Sequence, residues 1–365
     1  MDMVFYRSFD DTTLEDVEEL VRQCFGKRLH KLLGRILSNP LRNLDCEDSA
    51  GDIAYESGEP RAFQAAIMRR MFLGRKEITG VVGSTLCIMP DASPEFLVDV
   101  CEKTMRHGGA SIYFGNTTCK AAMRINKFIG GTVPNLQSYK VRNVLSPSRR
   151  AVFVWKLSRL ISCVFRHIGI NQSANTRKLF KNCKFVGGNY DVHIYTNIDR
   201  VAFDGFWARY YNGNKGLVCS RSSKELEWVH GDGLASGRRV IVGIEKCGAL
   251  LGYCVLRAKD ANRWQWDVVD WIAIGNDLVL LDIVLYESIR YMAKSGHAAK
   301  LFISGFCSPA QKIVQRYFSQ ETYPNGQPNY FCYKLLSSDL SANEDMLDTL
   351  ESWFFGPYDG DECLL

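Results

Sequence analysis

One order of secondary structure occurs twice in this sequence, and the repeat is the strongest constraint on the fold. In each half a helical region precedes three extended runs, which are followed by a helix, a short strand and another helix. Apolar residues keep the 3.6-residue period in the helical regions. Gly and Pro residues mark the turns between the extended runs, as in an antiparallel meander. The order predicts a mixed α/β chain with two tandem domains of one fold.

The elements of the first half are predicted as a helix at 12–35, extended runs at 52–56, 62–73 and 77–89, a helix at 94–106, a strand at 110–114 and a helix at 116–128. Those of the second half are helices at 203–211 and 223–230, extended runs at 239–245, 250–259 and 264–274, a helix at 277–294, a strand at 300–304, a helix at 309–318 and a strand at 330–336. The predicted units are a domain at 1–147, a basic linker helix region at 148–188, a second domain at 189–337 and an acidic tail at 338–365.

Charge is segregated along the chain. Residues 335–365 hold eight acids and no Lys or Arg, whereas residues 103–190 hold sixteen Lys and Arg and no acid. A basic block of this size attracts anions, and CoA, an acyl carrier protein, tRNA and acidic lipid headgroups are the candidates. The alternative is a solvated face that the acidic tail balances.

The segment at 148–169 is both basic and strongly apolar. It is interpreted as an amphipathic helix between the two domains, and the alternative is a helix that lies on a membrane surface. Cys163 and His167 are one helical turn apart in this segment. No second ligand pair is near them in sequence, so no metal site is expected.

The composition excludes several classes of protein. Hydrophobic residues make up 46% of the 365 residues and charged residues 23%, which is typical of a globular chain and not of a disordered one. The thirteen cysteines never form a Cys-x-x-Cys pair, and the first residues resemble no secretory signal. A cytoplasmic location with free thiols is therefore expected. P-loop, Rossmann, zinc-protease and α/β-hydrolase motifs are missing.

Several short stretches resemble the GNAT (GCN5-related N-acetyltransferase) superfamily, and the tandem FemAB-like branch in particular. The stretches at 80–90 (GVVGSTLCIMP) and 111–118 (SIYFGNTT) are similar to the fourth and fifth strands of that fold. In the second half the similar stretches are Phe206-Trp207, 226–228 (LEW) and 268–270 (VVD). The segment at 353–361, near the C-terminus, also resembles the final segment of such proteins. The resemblance implies two GNAT-fold domains.

The resemblance also implies acyl or aminoacyl transfer to an amine of a sugar, a peptide or a lipid-linked precursor. The donor is an acyl-CoA, an acyl carrier protein or an aminoacyl-tRNA, and no permanently bound cofactor is expected. Two departures from the family favour another interpretation, a non-catalytic binding or assembly module. The loops at 90–94 and 275–277 lack the family's glycine-rich phosphate cradle, and the position of its tyrosine acid falls on Asn126 in the first half.

Six residues are candidates for a role in the site. Asp270 is the candidate base, since burial in an apolar strand raises a carboxyl pKa, and the alternative is a structural carboxylate paired with an Arg. His230 lies where the resemblance implies the acceptor pocket and is predicted to be exposed and to titrate near neutrality, and the alternative is a solvated loop histidine. Tyr317 is the candidate substitute for the missing tyrosine acid. Met89, Asn116 and Thr117 are the candidates for contact with the donor's pantetheine arm, although Asn116 also suits a plain helix N-cap.

Overall fold

The computed structural model describes residues 3–26, 29–42, 49–118, 120–134, 138–144, 190–214, 216–295, 300–306, 310–320, 330–343, 347, 357–359 and 364. The predicted linker helix, with Cys163 and His167, and most of the acidic tail lie outside these residues.

The first sheet is mixed and contains most strands of the first half. Its strands are β1 (Val4–Ser8), β2 (Gly51–Glu56), β3 (Glu59–Leu73), β4 (Lys76–Ile88), β5 (Ile112–Thr118) and β14 (Tyr330–Leu335). They lie in that order, and the short strand β8 (Leu217–Cys219) pairs with the end of β3. Only β4 and β5 are parallel among the described pairs of this sheet. The helices of this half are α1 (Leu14–Phe25), α2 (His30–Leu37), α3 (Glu95–Thr104) and α4 (Lys120–Phe128).

The second sheet has the same plan. Its strands, in spatial order, are β13 (Ser319–Gln320), β6 (Ser138–Val144), β12 (Lys300–Phe306), β11 (Gln265–Ala273), β10 (Ala249–Ala258), β9 (Arg239–Lys246) and β7 (Asp191–Tyr195). Here only β11 and β12 are parallel among the described pairs. The helices of this half are α5 (Arg200–Gly213), α6 (Ser223–Ala235), α7 (Leu278–Ser295) and α8 (Gln311–Tyr317). The repeated order predicted from the sequence is confirmed.

The two halves exchange strands. Strand β6 belongs to the first half of the chain but pairs with β12 in the second sheet over seven residue pairs. Strand β14 lies near the end of the chain but pairs with β5 in the first sheet. The predicted boundaries at residues 147 and 337 therefore do not separate the two sheets, because the first sheet takes β8 and β14 from the second half and the second sheet takes β6 from the first half.

One of the apolar clusters among the described residues joins the two halves of the chain. One cluster of buried side chains contains Phe63 and Ile67 of β3 together with Phe206 of α5 and Tyr253 of β10. Smaller clusters lie under α3 on the other face of the first sheet and under α7 and α8 on the second. Burial of this extent is the main stabilising contribution to the fold.

Two predicted helices have different bounds in the structure. The helix predicted at 12–35 is two helices, because Gly26 takes a left-handed φ of 66° and donates its N–H to Arg22 O, which ends α1. The helix predicted from Asn116 starts instead at Lys120, since β5 continues to Thr118 and pairs there with Tyr330. The interpretation of Asn116 as a helix N-cap is therefore wrong. Within the described residues, no helix is both long enough and apolar enough to cross a membrane.

Candidate functional site

Strands β4 and β5 are paired over only part of their length. They pair only between Gly80–Val82 and Ile112–Phe114, although β4 runs on to Ile88 and β5 to Thr118. Strand β4 stays paired with β3 to its end, and a bulge lies where β3 residues 63–65 face β4 residues 84–87. Thr85 in this bulge has a φ of 52°, and a bulge of this kind bends its strand. We call the resulting gap between β4 and β5 the first cleft.

A buried polar cluster lies where the first cleft begins. Gln64 of β3, Tyr113 of β5 and Asn126 of α4 are exposed by only 2%, 2% and 3%. The Gln64 amide Nε2 donates to the Tyr113 hydroxyl oxygen at 3.0 Å. The Tyr113 side chain lies over β4 at Gly83, where a Cβ would come within 2.3 Å of the hydroxyl oxygen. Glycine at this position is therefore what allows the cluster to form.

Two acceptors in this cluster lack partners. Gln64 Oε1 and Asn126 Oδ1 are buried and accept no hydrogen bond from the described residues, while Asn126 Nδ2 donates to Ala122 O at 2.8 Å. Buried polar atoms in native proteins are normally satisfied, so unpaired ones indicate a place for water or a ligand. Burial raises the pKa of Tyr113 well above its ordinary value, against the opposing effect of the Gln64 and Asn126 amides. The hydroxyl therefore keeps its proton at neutral pH.

The loop after β4 is a poor phosphate site. Asp91 lies in this loop and forms an ion pair with Arg61 at 2.9 Å, so a carboxylate stands where the resemblance implies a pyrophosphate. Met89 donates its N–H to Arg61 O at 2.8 Å and accepts from Ala92 N at 3.0 Å. The N–H of Met89 is therefore already bonded within the protein, and its main-chain pairing with a pantetheine arm stays a prediction.

Asn116 and Thr117 lie on β5, past the point where β5 leaves β4. This places both residues on the β5 wall of the first cleft, within a strand and not at the start of a helix as predicted. Their contact with a donor stays a prediction.

The second sheet has a cleft of the same kind. Strands β11 and β12 pair between Gln265–Val268 and Lys300–Ile303, and β11 then continues to Ala273. Helix α7 follows, and the Asp277 carboxylate accepts from the N–H groups of Val279 at 2.7 Å and Leu280 at 3.2 Å. The protein's own carboxylate thus caps the helix end where an anion would otherwise bind.

Asp270 is part of a buried ion-pair network. Its carboxylate accepts from Arg221 Nε and Nη2 at 3.1–3.2 Å and from the Tyr253 hydroxyl at 2.9 Å. Arg221 also pairs with Asp359 at 3.2 Å, and its guanidinium lies 4.4 Å from the centre of the Tyr358 ring. Both Asp270 oxygens are therefore occupied. The contacts favour the structural alternative, and the role of a base stays a prediction.

His230 is fully buried, so the prediction of an exposed loop histidine is wrong. It lies inside α6, which continues through Gly231 and Gly233 to Ala235. Arg239 donates to His230 Nδ1 at 2.6 Å, so the proton of the neutral ring is on Nε2, which has no partner among the described residues. Burial, followed by the charge of Arg239, lowers the pKa of His230 well below its ordinary value.

This pKa shift predicts a pH-dependent stability. Unfolded His230 takes up a proton below about pH 6.5 while the folded ring stays neutral, so stability is lost as pH falls below that value. We expect a loss of about 1.4 kcal/mol per pH unit from this group between the unfolded and folded pKa values. The free energy of unfolding, measured in urea between pH 5 and 7, should not show this pH-dependent loss in His230→Gln. It should still show the loss in His193→Gln, where the replaced histidine is exposed. Equal slopes in the wild type and His230→Gln would contradict the prediction.

Tyr317 lies apart from the other candidates. Its hydroxyl donates to Asp282 Oδ1 at 2.6 Å, which ties α8 to α7 on the outer face of the second sheet. Asp270 and His230, by contrast, both lie beside Tyr358, with ring centres of His230 and Tyr358 5.7 Å apart. The structure thus divides the six predicted residues among three places, and the catalytic role of Tyr317 stays a prediction.

Sequence reasoning missed the polar cluster of the first cleft. Gln64 and Tyr113 each interrupt an otherwise apolar, buried stretch of strand. A polar residue inside such a stretch is a usable signal for a buried hydrogen-bonded pair. The signal for Gly83 is its position two residues after buried Val81 in a strand, where glycine is otherwise unfavourable.

The sequence matches no protein-family model and no curated protein, but its structure resembles solved structures. A probable N-acyltransferase from Enterococcus faecalis aligns with a TM-score of 0.59 at 8% identity, over 92% of this chain and 73% of that one. A GCN5-related N-acetyltransferase from Kribbella flavida aligns with a TM-score of 0.55 at 14% identity, over 92% and 71%. The fold is the GNAT fold. The N-myristoyltransferase of Saccharomyces cerevisiae, solved with bound myristoyl-CoA, aligns with a TM-score of 0.50 at 12% identity, over 90% and 82%.

Proposed function

We propose that this chain is an acyltransferase that moves an acyl group from a thioester donor to an amine, and that the donor lies in the first cleft. The observation that carries the proposal is the polar cluster at the point where β4 and β5 stop pairing. This cluster contains the buried hydroxyl of Tyr113 and two side-chain amide oxygens that accept no hydrogen bond from the described residues. Separated parallel strands expose main-chain groups along which an extended ligand can lie. The GNAT fold of acyltransferases supports the same class of reaction.

The proposed reaction needs a proton for the leaving thiolate. The neutral amine attacks the thioester carbonyl carbon, a C–N bond forms and the C–S bond breaks. The leaving thiolate takes a proton from an acid, and the attacking nitrogen loses one proton, which restores that acid. Asn126 stands where the resemblance implies the tyrosine acid, and the Tyr113 hydroxyl is in the same buried cluster. Tyr113 is the proposed proton donor. It lies on strand β5, whereas the tyrosine acid implied by the resemblance would lie on α4, at the position of Asn126. The side-chain carbonyls of Gln64 and Asn126 are the proposed acceptors for amide N–H groups of the donor's arm.

Two donor classes remain in the proposal. An acyl-CoA is supported by the likeness to an enzyme solved with myristoyl-CoA. An acyl carrier protein or an aminoacyl-tRNA, as in the FemAB-like branch, is supported by the carboxylates of Asp91 and Asp277 at the two predicted pyrophosphate loops. The proposed acceptor is an amine of a sugar, a peptide or a lipid-linked precursor. A cytoplasmic location and membrane contact through 148–169 stay predictions.

Thermal unfolding with acetyl-CoA, longer acyl-CoAs and free CoA tests the donor. A ligand that binds only the native state stabilises it by about 2.7 kcal/mol at 100 times its dissociation constant. We expect stabilisation by one acyl length, and its loss in Gly83→Ala, whose Cβ must displace the Tyr113 hydroxyl. Gly205→Ala, where no atom lies within 4 Å of the added carbon, should keep the stabilisation. An equal ligand effect in both variants would place the donor elsewhere.

A second candidate is a non-catalytic binding module. The observations that favour it are the self-capped end of α7 and the asparagine at the position of the family's tyrosine. Absence of stabilisation by every CoA compound, together with absence of product from carrier-protein and tRNA donors, would favour this candidate over the acyltransferase.

A further inference from the structure

Two thiols meet where α1 contacts the end of β4. Cys24 is in the last turn of α1 and Cys87 is the penultimate residue of β4. Cys24 Sγ donates to the carbonyl oxygen of Ile88, the residue after Cys87, at 3.2 Å. Cys87 belongs to the apolar cluster against which Cys24 packs, and each thiol is the strongest influence on the titration of the other. Two thiols on a helix and a strand packed together in this way are placed to close into a disulfide, whose sulfurs are about 2 Å apart.

The two thiols differ in access. Cys87 is only 5% exposed, whereas Cys24 is partly exposed. The hydrogen bond from Cys87, opposed by burial, lowers the pKa of Cys24 to about 7. The same contact, together with burial, raises the pKa of Cys87 well above its ordinary value. An accessible thiolate with a buried thiol behind it is the arrangement of an attacking and a resolving cysteine.

We propose that Cys24 and Cys87 form a reversible redox site that takes a low-molecular-weight disulfide of the glutathione class. The Cys24 thiolate attacks one sulfur of glutathione disulfide, which forms a mixed disulfide and releases one glutathione thiolate. Cys87 loses its proton and attacks the Cys24 sulfur, which closes the protein disulfide and releases the second glutathione. Two protein thiols are oxidised and one glutathione disulfide is reduced to two glutathiones, so electrons and protons balance.

The remaining described cysteines do not share this arrangement. Cys247 is exposed, and Cys219 and Cys254 are fully buried. Cys101 and Cys332 influence each other electrostatically, but both are at most 1% exposed, and burial raises the pKa of Cys101 to about 12. The disulfide would tie the end of α1 to the strand that forms one wall of the first cleft, so oxidation acts on that wall. This inference rests on the thiol pair alone and not on the proposed acyl transfer.

Peptide mapping of the folded full-length chain tests the proposal. The protein is incubated with glutathione disulfide at pH 7.5, free thiols are blocked with iodoacetamide, and linked peptides are identified by tandem mass spectrometry. We expect a link between Cys24 and Cys87 that dithiothreitol reverses. A link confined to other cysteines, or no link under conditions that glutathionylate Cys247, would overturn the proposal.

Two serine variants separate the two steps. Cys87→Ser should stop at the mixed disulfide, so Cys24 should carry one glutathione, whereas Cys24→Ser should leave Cys87 unmodified. Cys247→Ser is the matched control and should form the Cys24–Cys87 link at the wild-type rate. Alkylation of Cys24 should show a pH midpoint near 7, against about 8.5 for an ordinary thiol. Glutathionylation of Cys87 in Cys24→Ser would contradict the assigned order of attack.

Discussion

Replacement of Arg221 by methionine is expected to lower the free energy of unfolding by about 3–5 kcal/mol. Arg221 is 1% exposed and pairs with two buried carboxylates, those of Asp270 and Asp359. Its removal leaves both acids in the core without a counter-charge, a more costly state than the loss of a hydrogen bond alone. The measurement is urea unfolding of the purified variant at pH 7.

The controls separate the network from a general effect of the substitution. Arg316→Met removes an ion pair to Asp282 whose arginine is 61% exposed, and surface pairs contribute only about 0–1 kcal/mol. A triple variant, Arg221→Met with Asp270→Asn and Asp359→Asn, should recover part of the loss because its amides carry no charge. Equal losses in Arg221→Met and Arg316→Met would show that the buried pairs contribute little.

The network also predicts a pH range in which the charge of Arg221 does not change the stability of the protein. Burial lowers the pKa of Arg221, but the charges of Asp270 and Asp359 outweigh this and raise it well above its ordinary value. A raised pKa gives stability that is present below the unfolded value and lost only as pH rises through the folded value. Both values lie far above the neutral range, so the guanidinium itself adds no pH dependence between pH 5 and 9.

Tyr113→Phe has the largest expected effect on the proposed activity. General acid catalysis contributes about 10²–10⁴-fold to rates, so we expect kcat to fall by about 100-fold or more, with a smaller change in the KM for the donor. The fall should be smallest with a donor whose leaving thiol is more acidic, because such a thiolate needs less help from a proton donor. Steady-state rates with a series of thioester donors measure both effects.

The matched control is Tyr55→Phe. Tyr55 is also a buried tyrosine of the first sheet, and its hydroxyl donates to Asp16 at 2.6 Å, away from the cleft. Each variant removes one hydrogen bond, from the buried amide of Gln64 or from the partly buried carboxylate of Asp16, and a buried group left unsatisfied costs about 1–3 kcal/mol of stability. A purely structural role of Tyr113 would make the two variants equal in both stability and kcat. A wild-type kcat in Tyr113→Phe would remove the hydroxyl from the mechanism.

Local patterns were enough to predict the repeated order of elements. The meanders follow from short apolar runs between Gly-containing turns, and these signals act within ten residues or so. The errors arose where a distant partner decides the conformation. Asn116 and Thr117 extend β5 because β14 pairs alongside them, and His230 is buried because α6 packs between the halves, where Trp228 Nε1 donates to Arg35 O.

The candidate site was harder to predict for the same reason. Asp270 was found as a buried carboxylate, but its partner Arg221 and the second carboxylate that Arg221 binds, Asp359, are 49 and 89 positions away from it in sequence. Gln64, Tyr113 and Asn126 come from two strands and a helix, so their contact depends on the register of the sheet and on a glycine in β4. Such registers are set by the whole sheet and not by any one segment.

The exchange of strands has a consequence for synthesis of this chain on the ribosome. Strand β5 is made more than two hundred residues before its partner β14. At about 5–20 residues per second, roughly 10–40 s pass before the partner is made. Throughout this time the nascent first sheet has an open edge, which is a risk for aggregation. A premature stop codon shortly before β14 would therefore leave the first sheet without its last strand, although the other main strands of that sheet come from the first half of the chain.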